Sequence, residues 1–122
     1  MTESLRRTPL FEEHRRLGAR LVPYAGWEMP VQYAGISAEH RAVREAAGLF
    51  DVSHMGELEV TGPDALALVD SLVTNDLGRV VAGQALYTCA CNEAGGVLDD
   101  LIVYRRADDR LLVVCNAANH AK

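Results

Sequence analysis

Three strand-like runs follow Gly83: Gln84 to Asn92, Val97 to Arg105, and Leu111 to Asn116. Only Glu93–Gly96 and Arg106–Arg110 separate them, so consecutive antiparallel pairing is the economical topology. The middle run carries two adjacent carboxylates, Asp99 and Asp100, within the apolar sequence V-L-D-D-L-I-V-Y. Acidic residues are depleted in strands and costly to bury unpaired. Side chains alternate across a strand, so the two acids must point to opposite faces of the sheet. Which of them meets ordinary core depends on the register of the first hairpin.

A four-residue loop, Glu93 to Gly96, sets Asn92 against Val97, Tyr87 against Ile102 and Cys89 against Asp100. One face then collects Tyr87, Cys89, Asp100, Ile102 and Tyr104, joined across the second turn by Leu112, Val114 and Asn116. Apolar walls with a few polar groups are the usual make-up of a small-molecule site. The other face of the central strand carries Val97, Asp99, Leu101 and Val103, closer to plain core with an acid at its margin. A five-residue loop sets Tyr87 against Val103 instead and separates it from Asp100, because a one-residue slip reverses every side chain. The residues by themselves leave two readings open. Asp100 is a site carboxylate, or it caps a backbone or pairs with an arginine.

Upstream, Pro9 to Ala19 reads as a helix, with Leu10, Phe11, His14 and Leu17 at helical spacing and Gly18 as its stop. Pro23 to Gly35 reads as irregular, around the turn glycine Gly26, the helix-refusing Pro30 and the only Trp, Trp27, taken as a packing anchor. Ser37 is the expected N-cap of a second helix reaching Ala47, closed by Gly48, with Val43 and Ala47 as its buried stripe. Leu49 to Thr61 reads as extended, and Glu57 to Val60 alternates as a half-exposed strand does. His54 within it is expected to be a hydrogen-bonded structural histidine. Gly62-Pro63-Asp64 announces a third helix with the stripe Ala65, Leu66, Val69, Leu72 and Val73, closed by Thr74–Asp76.

At 122 residues the chain is long enough for one core of its own. The net charge of -5, with interspersed signs, disfavours nucleic acid as a partner. No apolar run approaches a membrane span. The first residues lack the apolar core of a secretory signal, and Glu12 and Glu13 come too early for a transit peptide. Cys89, Cys91 and Cys115 are an odd number of cysteines on strand-like runs, which points to reduced thiols and a cytoplasmic protein. No second Cys or His pair accompanies Cys89 and Cys91, so no metal site is expected.

Several stretches resemble one family in order and spacing: R-T-P-L-F over Arg7–Phe11 followed by His14, A-G-W-E-M-P over Ala25–Pro30, and G-L-F-D-V-S-H-M-G over Gly48–Gly56. So do T-N-D over Thr74–Asp76, N-E-A-G-G over Asn92–Gly96 running into D-D-L over Asp99–Leu101, and N-A-A-N over Asn116–Asn119. They are similar to the start of the glycine cleavage system T-protein, the tetrahydrofolate-dependent aminomethyltransferase. The resemblance implies an α+β fold, an antiparallel sheet with packed helices, and makes residues 1–122 the N-terminal part of the folate-binding domain of a longer enzyme. It implies aminomethyl transfer from a lipoylated H-protein to tetrahydrofolate as co-substrate, with release of ammonia. By motif position it makes Asp100 the catalytic carboxylate and assigns Met55, Tyr87, Asp100, Ile102, Tyr104, Val114 and Asn116 to the folate wall. These residues by themselves are expected to show little transferase activity. The alternative is a folate-binding module of a sarcosine- or dimethylglycine-type oxidoreductase, or a folate-binding protein without transfer activity.

Overall fold

The structure, a computed structural model, describes residues 4–119. The chain forms two compact units, Met1–His54 and Met55–Lys122.

In the first unit a short helix, α1 (Phe11–Arg16), precedes an antiparallel hairpin of β1 (Arg20–Tyr24) and β2 (Trp27–Gln32), and then α2 (Ile36–Glu45). The helix at α1 is shorter than its spacing suggests. Phe11 and His14 are buried, while Leu10 and Leu17 face solvent, and Gly18 at φ +73 ends the turn. The segment expected to be irregular is in fact a hairpin. Its two-residue turn is Ala25 at φ 48 and Gly26 at φ 81, the paired positive-φ geometry that matches strand twist. For Ala25 that conformation costs about 1 kcal/mol. Pro23 and Pro30 are tolerated because a two-stranded ribbon is all edge.

α2 also departs from expectation. Its N-cap is Gly35, at φ 124, and Ser37 lies inside the first turn. The carboxylate of Glu39 reaches back to accept from the backbone N–H groups of Tyr33 and Gly35, at 2.7 and 2.9 Å. That ties the chain entering the helix back to its first turn, and these bonds hold the Glu39 carboxyl below its ordinary range. The helix ends at Glu45, before Gly48, and buries none of its residues. Val43 and Ala47 are exposed, so the anticipated stripe is not buried.

The second unit is the sheet on which the site rests. Its strands are β3 (Gly56–Thr61), β4 (Ala85–Cys91), β5 (Val97–Ala107) and β6 (Arg110–Cys115), in the order β3-β6-β5-β4, all antiparallel. Only Gly56–Thr61 of the run expected to be extended is strand. A helix, α3 (Ala65–Leu72), and a 3-10 turn at Leu77–Arg79 pack on one face. Val69, Leu77, Leu101, Val103, Leu111, Val113 and Cys115 form the buried core there. Ala65 and Val69 are buried, and Leu66 and Val73 pack against the core, as the stripe predicts; Leu72, at its end, is exposed. Burial alternates along β6, with Leu111, Val113 and Cys115 buried and the residues between them only partly so. One face of this sheet is core and the other is open.

Candidate functional site

The open face is built by register. Tyr87 pairs with Ile102 and Cys89 with Asp100; Ile102 in turn pairs with Val114, and Tyr104 with Leu112. These are the pairings that a four-residue loop predicts, and they bring Tyr87, Asp100, Ile102, Tyr104 and Val114 onto one surface. The turn itself differs. Cys91, not Asn92, faces Val97, and an irregularity between Ala90 and Cys91 takes up the extra residue. Asn92 instead organises the loop: its side-chain oxygen accepts from the N–H groups of Ala94 and Gly96, at 3.1 and 2.8 Å.

Asp100 is exposed and both of its oxygens have donors. The Tyr87 hydroxyl donates to Oδ2, and the Asn116 amide donates to Oδ1 at 3.1 Å. The hydrogen bond to Asp100 pushes the Tyr87 phenol above its ordinary pKa, so it remains a donor at neutral pH. Asp100 is thus held at both oxygens on an open sheet face, with half-buried Ile102 and Val114 beside it and exposed Tyr104 further along β5.

Asn116 ties this group to the core. Its Nδ2 also donates to Asp99 Oδ1 at 2.9 Å and to the Asp100 carbonyl at 2.8 Å, while its backbone N–H donates to Asp99 Oδ2 at 2.8 Å. Asn119 adds a bond to Asp99 Oδ1 at 2.6 Å. Burial raises the Asp99 pKa, but the bonds from Asn116 and Asn119 outweigh it and hold the carboxyl below its usual range. Asp99 is therefore a hydrogen-bonded carboxylate at the core margin, as strand alternation predicts. Met55 is half-buried, one residue beyond the Gly56–Cys115 pair of β3 and β6.

Sequence reasoning missed a second polar cluster, in the first unit. Asp51 Oδ2 accepts from Thr8 Oγ1 at 2.6 Å and lies 2.7 Å from His14 Nε2; His14 Nδ1 lies 2.7 Å from the Tyr33 hydroxyl. Thr8 and His14 are buried, as is the Asp51 side chain. Burial opposes ionisation of Asp51, yet the bonds from Thr8, His14 and Ser53 hold its pKa far below the ordinary range. The available signal was His14, a polar residue on the apolar stripe of α1. His54, by contrast, packs edge-on against Tyr24 at 5.9 Å, and its buried Nδ1 has no hydrogen-bond partner, contrary to the expectation of a hydrogen-bonded histidine. Trp27 is half-buried under the Arg6 guanidinium, 4.4 Å from the ring centre.

The family described as the GCVT N-terminal domain matches residues 10–122. The chain is 63% identical over 119 residues to an aminomethyltransferase of Rubrobacter xylanophilus, covering 98% of this chain and 32% of the relative. It is 58% identical over 122 residues to an aminomethyltransferase of Desulfitobacterium hafniense, covering all of this chain and 33% of the relative. The crystal structure of glycine cleavage system aminomethyltransferase T from Bartonella henselae superposes with a TM-score of 0.90 at 41% identity, over 97% of this chain and 33% of that one. The chain thus spans about a third of the length of the relatives it matches. With this match over nearly the whole sequence, the chain belongs to the GCVT N-terminal domain family of aminomethyltransferases.

Proposed function

We propose that this chain supplies one wall of the folate site of a glycine-cleavage aminomethyltransferase, with Asp100 as its catalytic carboxylate. The observation that carries this is the double anchoring of an exposed Asp100 by Tyr87 and Asn116 on a sheet face left open by the core. The donor set fits tetrahydrofolate as co-substrate. Half-buried Ile102 and Val114 offer an apolar surface to a flat ring, and Asp100 offers an acceptor to ring N–H groups. Met55, Tyr104 and Asn116 complete the wall in this reading.

Bound tetrahydrofolate supplies the amine that takes up the one-carbon unit. Its donor is an aminomethyl group on the reduced lipoyl sulfur of an H-protein, which leaves as free dihydrolipoyl thiol while nitrogen departs as ammonia. Positive charge develops on the carbon–nitrogen unit during that exchange. Asp100 orients an N–H of the folate amine and stabilises this charge without reorganising, because Tyr87 and Asn116 already fix its oxygens. Asn116 also couples the carboxylate to buried Asp99, so the group moves with the sheet and not with solvent. We place the activity in the cytoplasm, a reading supported by three unpaired thiols.

In the complete polypeptide, Asp100→Asn is expected to lower the transfer rate by about 10²-fold, the scale of losing one aimed electrostatic group. The variant should still fold. Steady-state assays with aminomethylated H-protein and tetrahydrofolate check this; turnover within a few-fold of the parent contradicts the assignment.

A further inference from the structure

The ladder between β5 and β6 stops at Ile102 and Val114, and one more step along it would set Asp100 against Asn116. There side chains take over from the ladder. Asn116 Nδ2 faces three acceptors that belong to both acids: Asp99 Oδ1 at 2.9 Å, the Asp100 carbonyl at 2.8 Å and Asp100 Oδ1 at 3.1 Å. An amide NH2 brings two hydrogens and accepts nothing. One hydrogen serves Asp99, and the other is shared by the two oxygens of Asp100. Whichever end of the Asn116 amide faces Asp99 therefore faces Asp100 as well.

Asp99 chooses that end. An ionised carboxylate only accepts, and Asp99, 7% exposed, has already taken the backbone N–H of Asn116 at 2.8 Å and the Asn119 amide at 2.6 Å. Turning the Asn116 amide over would press its oxygen against oxygens of both acids and leave Asp100 Oδ1 without its donor. At the core margin water cannot relieve such a contact, so the reversed amide is strongly disfavoured. Resting on the catalytic reading of Asp100 above, we infer that Asp99 is a positioning residue for the same reaction: from the buried face of β5 it locks the Asn116 amide with its NH2 toward Asp100. Asp99 touches no substrate. It keeps a donor against Asp100 Oδ1 while Tyr87 holds Oδ2.

The test uses the complete polypeptide and reads the acid limb of the pH profile of kcat/KM for transfer to tetrahydrofolate. The groups around the Asp100 carboxylate are the Tyr87 phenol, the Asn116 amide and the Cys89 thiol paired across the strands. In Asp99→Asn, the new NH2 draws the Asn116 oxygen round toward both residues, which favours a protonated Asp100. The limb is expected to move up by about one pH unit, the scale of one hydrogen bond to a charged group. Loss of the Asp99 charge alone would move it down, so an unmoved or lowered limb overturns the inference. Asn116→Ala should raise the limb too, and adding Asp99→Asn to it should raise it no further. A second full rise in that double variant would mean that Asp99 acts by another route, and overturns the inference as well. Asp51→Asn removes the buried carboxylate of the first unit and should leave the limb at the parental pH; a rise equal to that of Asp99→Asn would reduce the effect to general destabilisation and also overturn it. If Asp99→Asn does not fold, Asp99→Ser is read in its place with the same outcomes, because a hydroxyl both donates and accepts and so fixes neither end of the amide. Parental turnover in Asp100→Asn would instead refute the catalytic reading itself.

Discussion

Adjacent carboxylates in β5 have acquired opposite chemistry because each is completed by different donors. Asp99 is buried and accepts from three N–H sources, the backbone and amide of Asn116 and the amide of Asn119. Asp100 is exposed and held by a phenol and one amide. Replacing Asp99 by Asn turns one acceptor oxygen into an NH2 group that must face those same donors. A buried donor without an acceptor costs about 1–3 kcal/mol, so Asp99→Asn is expected to destabilise the protein on that scale. Asp100→Asn, at a solvated position, should change stability far less, and under the function proposed above its effect falls on transfer instead. Urea denaturation of both variants beside turnover measurements separates the roles; a destabilised Asp100→Asn with an unaffected Asp99→Asn would reverse them.

The element that delivers this arrangement is the β4–β5 hairpin. Its loop is closed by Asn92, which accepts from Ala94 and Gly96 through its side chain, while Asn92 and Gly96 share a backbone bond at 2.9 Å. Gly95, at φ +78, takes the left-handed position. Asn92→Ala removes both side-chain bonds and is expected to cost about 1–2 kcal/mol, measured as a shifted urea midpoint. An unshifted midpoint would mean that the loop's backbone suffices. The pairing of Tyr87 with Ile102 was one of the two registers that alternation left open, the one set by a four-residue loop. The irregularity at Cys91 was not legible in the sequence, since a bulge changes the local count without changing the hydrophobic pattern. Elsewhere pattern misled for physical reasons. The turn glycine Gly26 and helix-refusing Pro30 suggested an irregular segment, yet a two-stranded ribbon accepts both Pro23 and Pro30. Ser37 looked like a cap, yet the helix starts one residue earlier, at Ile36, with Gly35 at the cap and Glu39 holding the N–H groups of Tyr33 and Gly35. Val43 and Ala47 suggested a buried stripe, but α2 buries none of its residues.

At the scale of the whole chain, each unit contains one deeply held carboxylate, Asp51 in the first and Asp99 in the second. Neither role could be read from composition: the partners of Asp51 lie far off in sequence, at Thr8 and His14, and only the fold assembles them. Both carboxyls titrate below their ordinary range, so the sign of the linkage is the same. Each contributes stability that is complete above the unfolded carboxylate pKa, about 3.9, and lost as pH falls through the lowered folded value. Acidification below about pH 4 should therefore loosen both units, while neutral and mildly acidic conditions leave these two contributions intact. The two clusters share no hydrogen-bond partner among the described residues, so their contributions should add. Asp51→Asn and Asp99→Asn are each expected to flatten the fall of stability between about pH 4 and pH 2, and the double variant to flatten it by the sum. Urea midpoints measured across that range decide the matter. A single variant with the parental slope would remove that carboxylate from the account. A double variant no flatter than either single one would show that the two units lose their acid-sensitive structure as one.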